Sequence, residues 1–171
     1  MTTGIMMAYA AVALSVASAP TRQDARDEQR QGTAASATGQ KDCLVIGDSL
    51  AVGLGVALKA QGVDCDVFAR KGLTAWQIGL LAPIGRYAVA YVSAGSNNPK
   101  NPHLEDEVRV LRSHLRTSKV VWVLPYDRTA AHAVNANAAE TGGLVVDMAW
   151  FPTRDGIHPA SYAPLARMIV K

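Results

Sequence analysis

From Cys43 onward, short apolar runs alternate with helix-forming stretches, and this alternation limits the chain to one class of fold. The runs are Cys43–Gly47 (CLVIG), Cys65–Ala69, Tyr87–Ala94 (YAVAYVSA), Val120–Leu124 and Leu144–Asp147. Strands buried on both faces read as near-continuous apolar runs, and strands separated by helices pair in parallel. The expectation is an α/β fold, with a five-stranded parallel sheet covered by helices on both faces. Helices are expected over roughly 50–61 and 74–81. The best-defined helix follows the third run. Pro102 stands just inside its start, and Leu104, Val108, Leu111 and Leu115 fall on one stripe. Glu105, Asp106 and Glu107 come early and Arg109, Arg112 and Arg116 late, which complements the helix dipole. A final helix carries Tyr162, Leu165, Met168 and Ile169.

Ahead of this region the chain is built differently. Ile5–Ala19 (IMMAYAAVALSVASA) is an apolar, small-residue run ending in an A-x-A form, too short for a comfortable membrane span. Residues 1–19 are therefore expected to be a signal peptide, although Met1–Gly4 carries no basic residue. An uncleaved anchor is the alternative. No Cys follows the run, which argues against a lipid anchor. Residues 20–41 are polar and nearly free of large apolar groups, so they read as a disordered linker, with the folded domain at 42–171.

Composition narrows the function. Of 171 residues, 49% are hydrophobic, enough for one domain with a sizeable core. The net charge is only +3 and the basic residues are scattered. That pattern disfavours a nucleic-acid partner or a polybasic membrane surface, and small-molecule partners that are neutral or weakly charged fit better. Cys43 and Cys65 are too few for a disulfide scaffold and lack zinc-site spacing; they suit either one disulfide or two buried thiols.

Three residue groups, each directly after a predicted strand, carry chemistry. Loops at the carboxyl ends of parallel strands are where such groups gather. Gly47-Asp48-Ser49-Leu50 puts a serine at a strand-to-helix junction, where the helix N-terminus favours a developing anion. Gly95-Ser96-Asn97-Asn98 supplies an amide able to donate to an anionic oxygen. Asp155-Gly156-Ile157-His158 sets a carboxylate three residues before an imidazole across a glycine turn, so the acid can orient the base. Each alone has an ordinary reading as a helix cap, a turn or a surface loop. Together they should converge on one edge of the sheet. The chain has no G-x-G-x-x-G, P-loop or G-x-S-x-G motif, and His103, His114 and His132 read as surface residues.

These segments resemble the SGNH (GDSL) hydrolases. LVIGDSL at 44–50 is similar to that family's first block, with Ser49 as nucleophile, and ARKGLT at 69–74 to the second, whose glycine is here Gly72. Gly95-Ser96-Asn97-Asn98 looks like the G-x-N-D block with Asn98 in place of Asp, and DGIHP at 155–159 like the D-x-x-H block. The resemblance spans the whole expected domain. It implies a three-layer α/β/α sandwich of flavodoxin-like topology and acyl-enzyme chemistry with no metal or organic cofactor. Asp155 and His158 would complete a triad with Ser49, and the oxyanion would be held by the Ser49 and Gly72 N–H groups and the Asn97 amide. It also makes the strands holding Cys43 and Cys65 parallel neighbours, so their Cα atoms are expected about 5–6 Å apart, within disulfide reach.

The expected activity is that of a monomeric serine esterase, secreted or periplasmic, acting on short acyl esters of a glycan or similar alcohol, with no stable membrane insertion after signal cleavage. An acyltransferase using the same triad is the runner-up, and a non-catalytic glycan-binding or virion module the alternative outside catalysis. The joining segments are short, so no lid or acyl tunnel is expected. Trp76, Tyr126, Arg128, Trp150 and Phe151 either line a cleft or pack the sheet edge.

Overall fold

The computed structural model describes residues 40–170. The expected leader and nearly all of the expected linker lie outside the described residues. Five strands, β1 (Gln40–Gly47), β2 (Asp66–Ala69), β3 (Arg86–Ser93), β4 (Val120–Leu124) and β5 (Leu144–Asp147), form one all-parallel sheet in the order β2-β1-β3-β4-β5. Between and after them run α1 (Ser49–Lys59), α2 (Ala75–Leu80), α3 (Leu104–His114), α4 (Arg128–Thr141), a 3₁₀ turn (Met148–Trp150) and α5 (Ala163–Ile169). The fold is α/β, as the alternation of runs implies.

Strand periodicity explains how both faces are filled. Leu44 and Ile46 of β1, Ala90 and Val92 of β3, and Trp122 of β4 point to one side, into a core closed by Ile78 of α2, Leu111 of α3 and Val134 of α4. Their neighbours Cys43, Val45, Tyr91, Val121 and Val123 point to the other, against Leu50, Leu54 and Leu58 of α1 and Leu165 of α5. A one-residue slip in any strand would exchange the two sets, so burial on both faces fixes the register. Truncating a fully buried leucine such as Leu54 would cost about 2–5 kcal/mol.

Local chemistry sets the helix ends. Thr74 and Gln77 form a reciprocal capping box on α2, and the Asp127 side chain caps α4 by accepting from Ala130 N–H at 3.0 Å. Helix α3 starts at Leu104, so Pro102 lies outside it. Asn101 Oδ1 instead accepts from His103 N–H at 3.0 Å, turning the chain before the helix begins. In the last helix Leu165 and Ala166 are buried, while Met168 is 46% exposed.

Strand β1 begins at Gln40, two residues before the expected domain boundary, because Gln40 and Lys41 pair with Arg86 and Tyr87. Lys41 also forms an ion pair with Asp66. Cys43 thus lies within β1 rather than at its start, and Cys65 immediately precedes β2. The two are joined by a disulfide with Cα atoms 4.8 Å apart. Among the described residues no helix is long and apolar enough to cross a membrane.

Candidate active site

Strand order reverses between β1 and β3, and crevices at such switch points, at the carboxyl ends of the strands, are where α/β sheets bind ligands. Ser49 follows β1 and Asn97 follows β3, so both belong to this crevice. At Gly47, the last residue of β1, a Cβ would overlap the Ser93 carbonyl of β3, so only glycine lets the two strand ends approach this closely.

Asp48 relieves Ser49 of the capping role that a junction serine usually takes. Its fully buried Oδ1 accepts from Leu50 N–H at 3.0 Å and from Ser93 Oγ at 2.7 Å, which caps α1 and ties β1 to β3. The Ser49 hydroxyl is free for another partner and lies 2.9 Å from Nε2 of His158, 109 residues away in sequence. As first residue of α1, Ser49 also presents a backbone N–H with no acceptor inside the helix.

The segment from β5 to α5 returns across the sheet edge and is fastened on its way. Tyr126 Oη donates to the Phe151 carbonyl at 3.1 Å. Thr153 Oγ1 donates to the His158 carbonyl at 2.8 Å and accepts from Gly156 N–H at 2.9 Å. Within this turn Asp155 Oδ1 accepts from the N–H groups of Ile157 (2.9 Å) and His158 (2.7 Å), and Oδ2 sits 2.7 Å from His158 Nδ1. The hydrogen bond to His158, then the two backbone N–H groups, hold the Asp155 carboxyl far below the ordinary carboxylate range. An ionised Asp155 can only accept, so Nδ1 of neutral His158 carries the proton. Nε2 is left as the acceptor for the Ser49 hydroxyl. Ser49, His158 and Asp155 are thus brought into one hydrogen-bonded chain.

Asn97 is tied to the loop that carries Gly72. Arg70 N–H donates to the Gly47 carbonyl at 3.1 Å, which anchors the loop after β2 to the end of β1. Asn97 Nδ2 donates to the carbonyl of Leu73, the residue after Gly72, at 2.9 Å. One amide hydrogen of Asn97 fixes its orientation and the second remains for a ligand. Asn98 belongs to the following turn, its carbonyl accepting from Asn101 N–H.

Two residues join the site without any signal in the sequence analysis. Lys71 and Tyr162 line a cavity of about 340 Å³ together with Ser49, Val52, Gly53 and His158. A second cavity of about 270 Å³ touches the same turn at Gly156 and Ile157 and is lined also by Ser96, Tyr126 and Asp127. Of the aromatics considered as cleft lining, Tyr126 lines this second cavity, and Phe151 packs against the core. Trp76 and Trp150 are exposed, and Arg128 makes a bidentate ion pair with Asp147 (2.9 and 2.7 Å). Among the described residues, no group of three or more His, Cys, Asp or Glu is placed to hold a metal ion.

No protein-family model matches the chain, and no curated protein sequence does. Among solved structures, it is similar to the C-terminal catalytic domain of the Streptococcus pneumoniae peptidoglycan O-acetyltransferase A (OatA), solved with a methylsulfonyl adduct. The TM-score is 0.53 at 15% identity, over 75% of this chain and 88% of that one. At that identity the likeness establishes the fold, and the α/β architecture of this chain is one that a known catalytic domain shares.

Proposed function

We propose that the chain is a serine-dependent acyl-transfer enzyme of the SGNH type, acting as an esterase on short acyl groups carried by an extracytoplasmic glycan or similar alcohol. The observation that carries this reading is the chain Asp155–His158–Ser49, with links of 2.7 and 2.9 Å. His158 Nε2 accepts the Ser49 proton as Oγ attacks the ester carbonyl carbon. The tetrahedral oxyanion is held by the Ser49 and Gly72 N–H groups and the Asn97 amide. His158 then donates its proton to the departing alcohol, leaving acyl-Ser49. Water, deprotonated by His158, attacks that ester and releases the acid.

The Cys43–Cys65 disulfide supports an oxidising compartment, in keeping with a signal peptide at residues 1–19 and a secreted or periplasmic enzyme. The likeness to an O-acetyltransferase domain favours a second reading, in which a sugar hydroxyl replaces water as acceptor. Product analysis with added glycan separates the two by the ratio of transfer to hydrolysis.

Fluorophosphonate labelling tests the common core. The wild-type protein should label at Ser49, and Ser49→Ala should neither label nor turn over esters while remaining folded. An active, folded Ser49→Ala protein would overturn the assignment.

A further inference from the structure

We propose that the cavity beside Ser49 selects an alcohol bearing a carboxylate, so that the substrate is an acylated acidic sugar rather than a neutral one. This rests on the acyl-transfer reading above and names its substrate class. The carrying observation is Lys71, an exposed residue that shares the wall of the 340 Å³ cavity with Ser49 and His158. Among the described residues Lys71 makes no ion pair, as is true of most of the basic residues; its place on the wall beside Ser49 and His158 sets it apart. A cation left without a protein partner beside a nucleophile is available to a ligand anion.

The rest of the wall fits a sugar. Val52 and Gly53 are apolar, and the half-buried Tyr162 offers a ring and a hydroxyl. Burial first, then Asp48 and Asp155, push the Tyr162 phenol up to about 12, so it stays a neutral donor throughout the working range. A volume of 340 Å³ equals on the order of ten waters at ~30 Å³ each. A two-carbon acyl group would leave most of that space empty, so the alcohol part fills it.

The test compares phenyl acetate with 4-acetoxybenzoate, which differ by a carboxylate on the alcohol part, each rate divided by its hydroxide-catalysed rate. Wild type should favour the anion by about two- to fivefold in kcat/KM, the scale of one solvent-accessible charge pair. The preference should fall towards one at 1 M salt, where screening acts over ~3 Å. Lys71→Met should abolish the preference, read as the ratio of the two rates, and Lys71→Glu should invert it. No preference in wild type, or one that survives Lys71→Met, overturns the proposal. If neither ester is turned over, the acyl-transfer reading fails separately and binding decides this one. Wild type should bind galacturonate oligosaccharides more tightly than neutral galactose oligosaccharides, with the difference lost in Lys71→Met. Equal binding, or no binding of the uronate, overturns it.

Discussion

The ring of Tyr162 lies across Gly53, so near that a Cβ on Gly53 would overlap its Cε and Cζ atoms. Gly53 lies inside α1, where alanine would ordinarily be favoured by about 1 kcal/mol. Here the close approach of the ring accounts for the glycine, and it seats Tyr162 against the helix that carries Ser49. Gly53→Ala should therefore displace the ring and offset the propensity gain. It should lower kcat/KM on substrates that fill the cavity, with little net change in stability. In a Tyr162→Ala background the same substitution should become stabilising by about 0.5–1 kcal/mol. Denaturation of the four proteins in the cycle checks this, and a full propensity gain in the wild-type background would mean that the ring contact carries no energy.

Asn97 is tied to Leu73 by one amide hydrogen and has the other to spare. Asn97→Ala should lower kcat by about 100- to 1,000-fold, the usual loss for one oxyanion donor, with KM little changed. An effect confined to KM would make Asn97 a substrate-binding residue instead.

The disulfide closes a separation of 22 residues and fastens a four-residue edge strand to the strand that leads into Ser49. Replacing both cysteines with alanine should cost about 3 kcal/mol by the loop-length relation. Thermal unfolding should show a clear drop in Tm, as should wild type after reduction. Two titratable thiols in folded, periplasmically expressed protein would contradict the bridge and weaken the assignment to an oxidising compartment.

The Arg128 hydrogen bonds hold the Asp147 carboxyl below its ordinary value, against the opposing effect of burial. Its folded pKa is thus lower than that of the unfolded chain, about 3.9. The ion pair contributes stability above the unfolded value, and this is lost as pH falls through the folded one. Arg128 is largely exposed, so the contribution should stay under about 1 kcal/mol. Asp147→Asn should be slightly less stable than wild type at pH 7, and the two should converge in acid. A gap that widens on acidification would reverse this account.

The cavities of about 270 and 340 Å³ that meet the Asp155–His158 turn are open to solvent rather than enclosed. A long acyl chain gains ~0.8 kcal/mol only for each methylene it fully buries, so kcat/KM should not rise with chain length. A p-nitrophenyl series from acetate to palmitate checks this. An optimum at octanoate or beyond would require an enclosed acyl pocket and overturn this reading.

What was legible in the sequence was whatever depends on neighbours in the chain. The five apolar runs correspond to the five strands within a residue or two, except where β1 extends back to Gln40, because burial on both faces leaves a continuous apolar signature. Asp155 and His158 could be paired on paper because only a glycine turn separates them. Gly72 had no signal of its own and stood out only through resemblance, since a turn glycine looks the same whether or not its N–H faces a ligand. Lys71 and Tyr162 were illegible for a different reason. One sits on a loop and the other just ahead of a helix, 91 residues apart, and only the packing of α5 on α1 brings them to the same cavity.

The contacts that assemble the site differ greatly in reach. Asp155 and His158 meet across three residues, a loop so short that its closure costs little conformational freedom. Ser49 meets His158 across 109 residues, so that contact exists only once every strand between them is in register. During folding the Asp155–His158 contact can form early and repeatedly, while Ser49 joins it last. Ester turnover would then report completed folding more stringently than helix content does. A chain that had recovered its circular dichroism but not its activity would be one in which the β5–α5 segment had yet to dock.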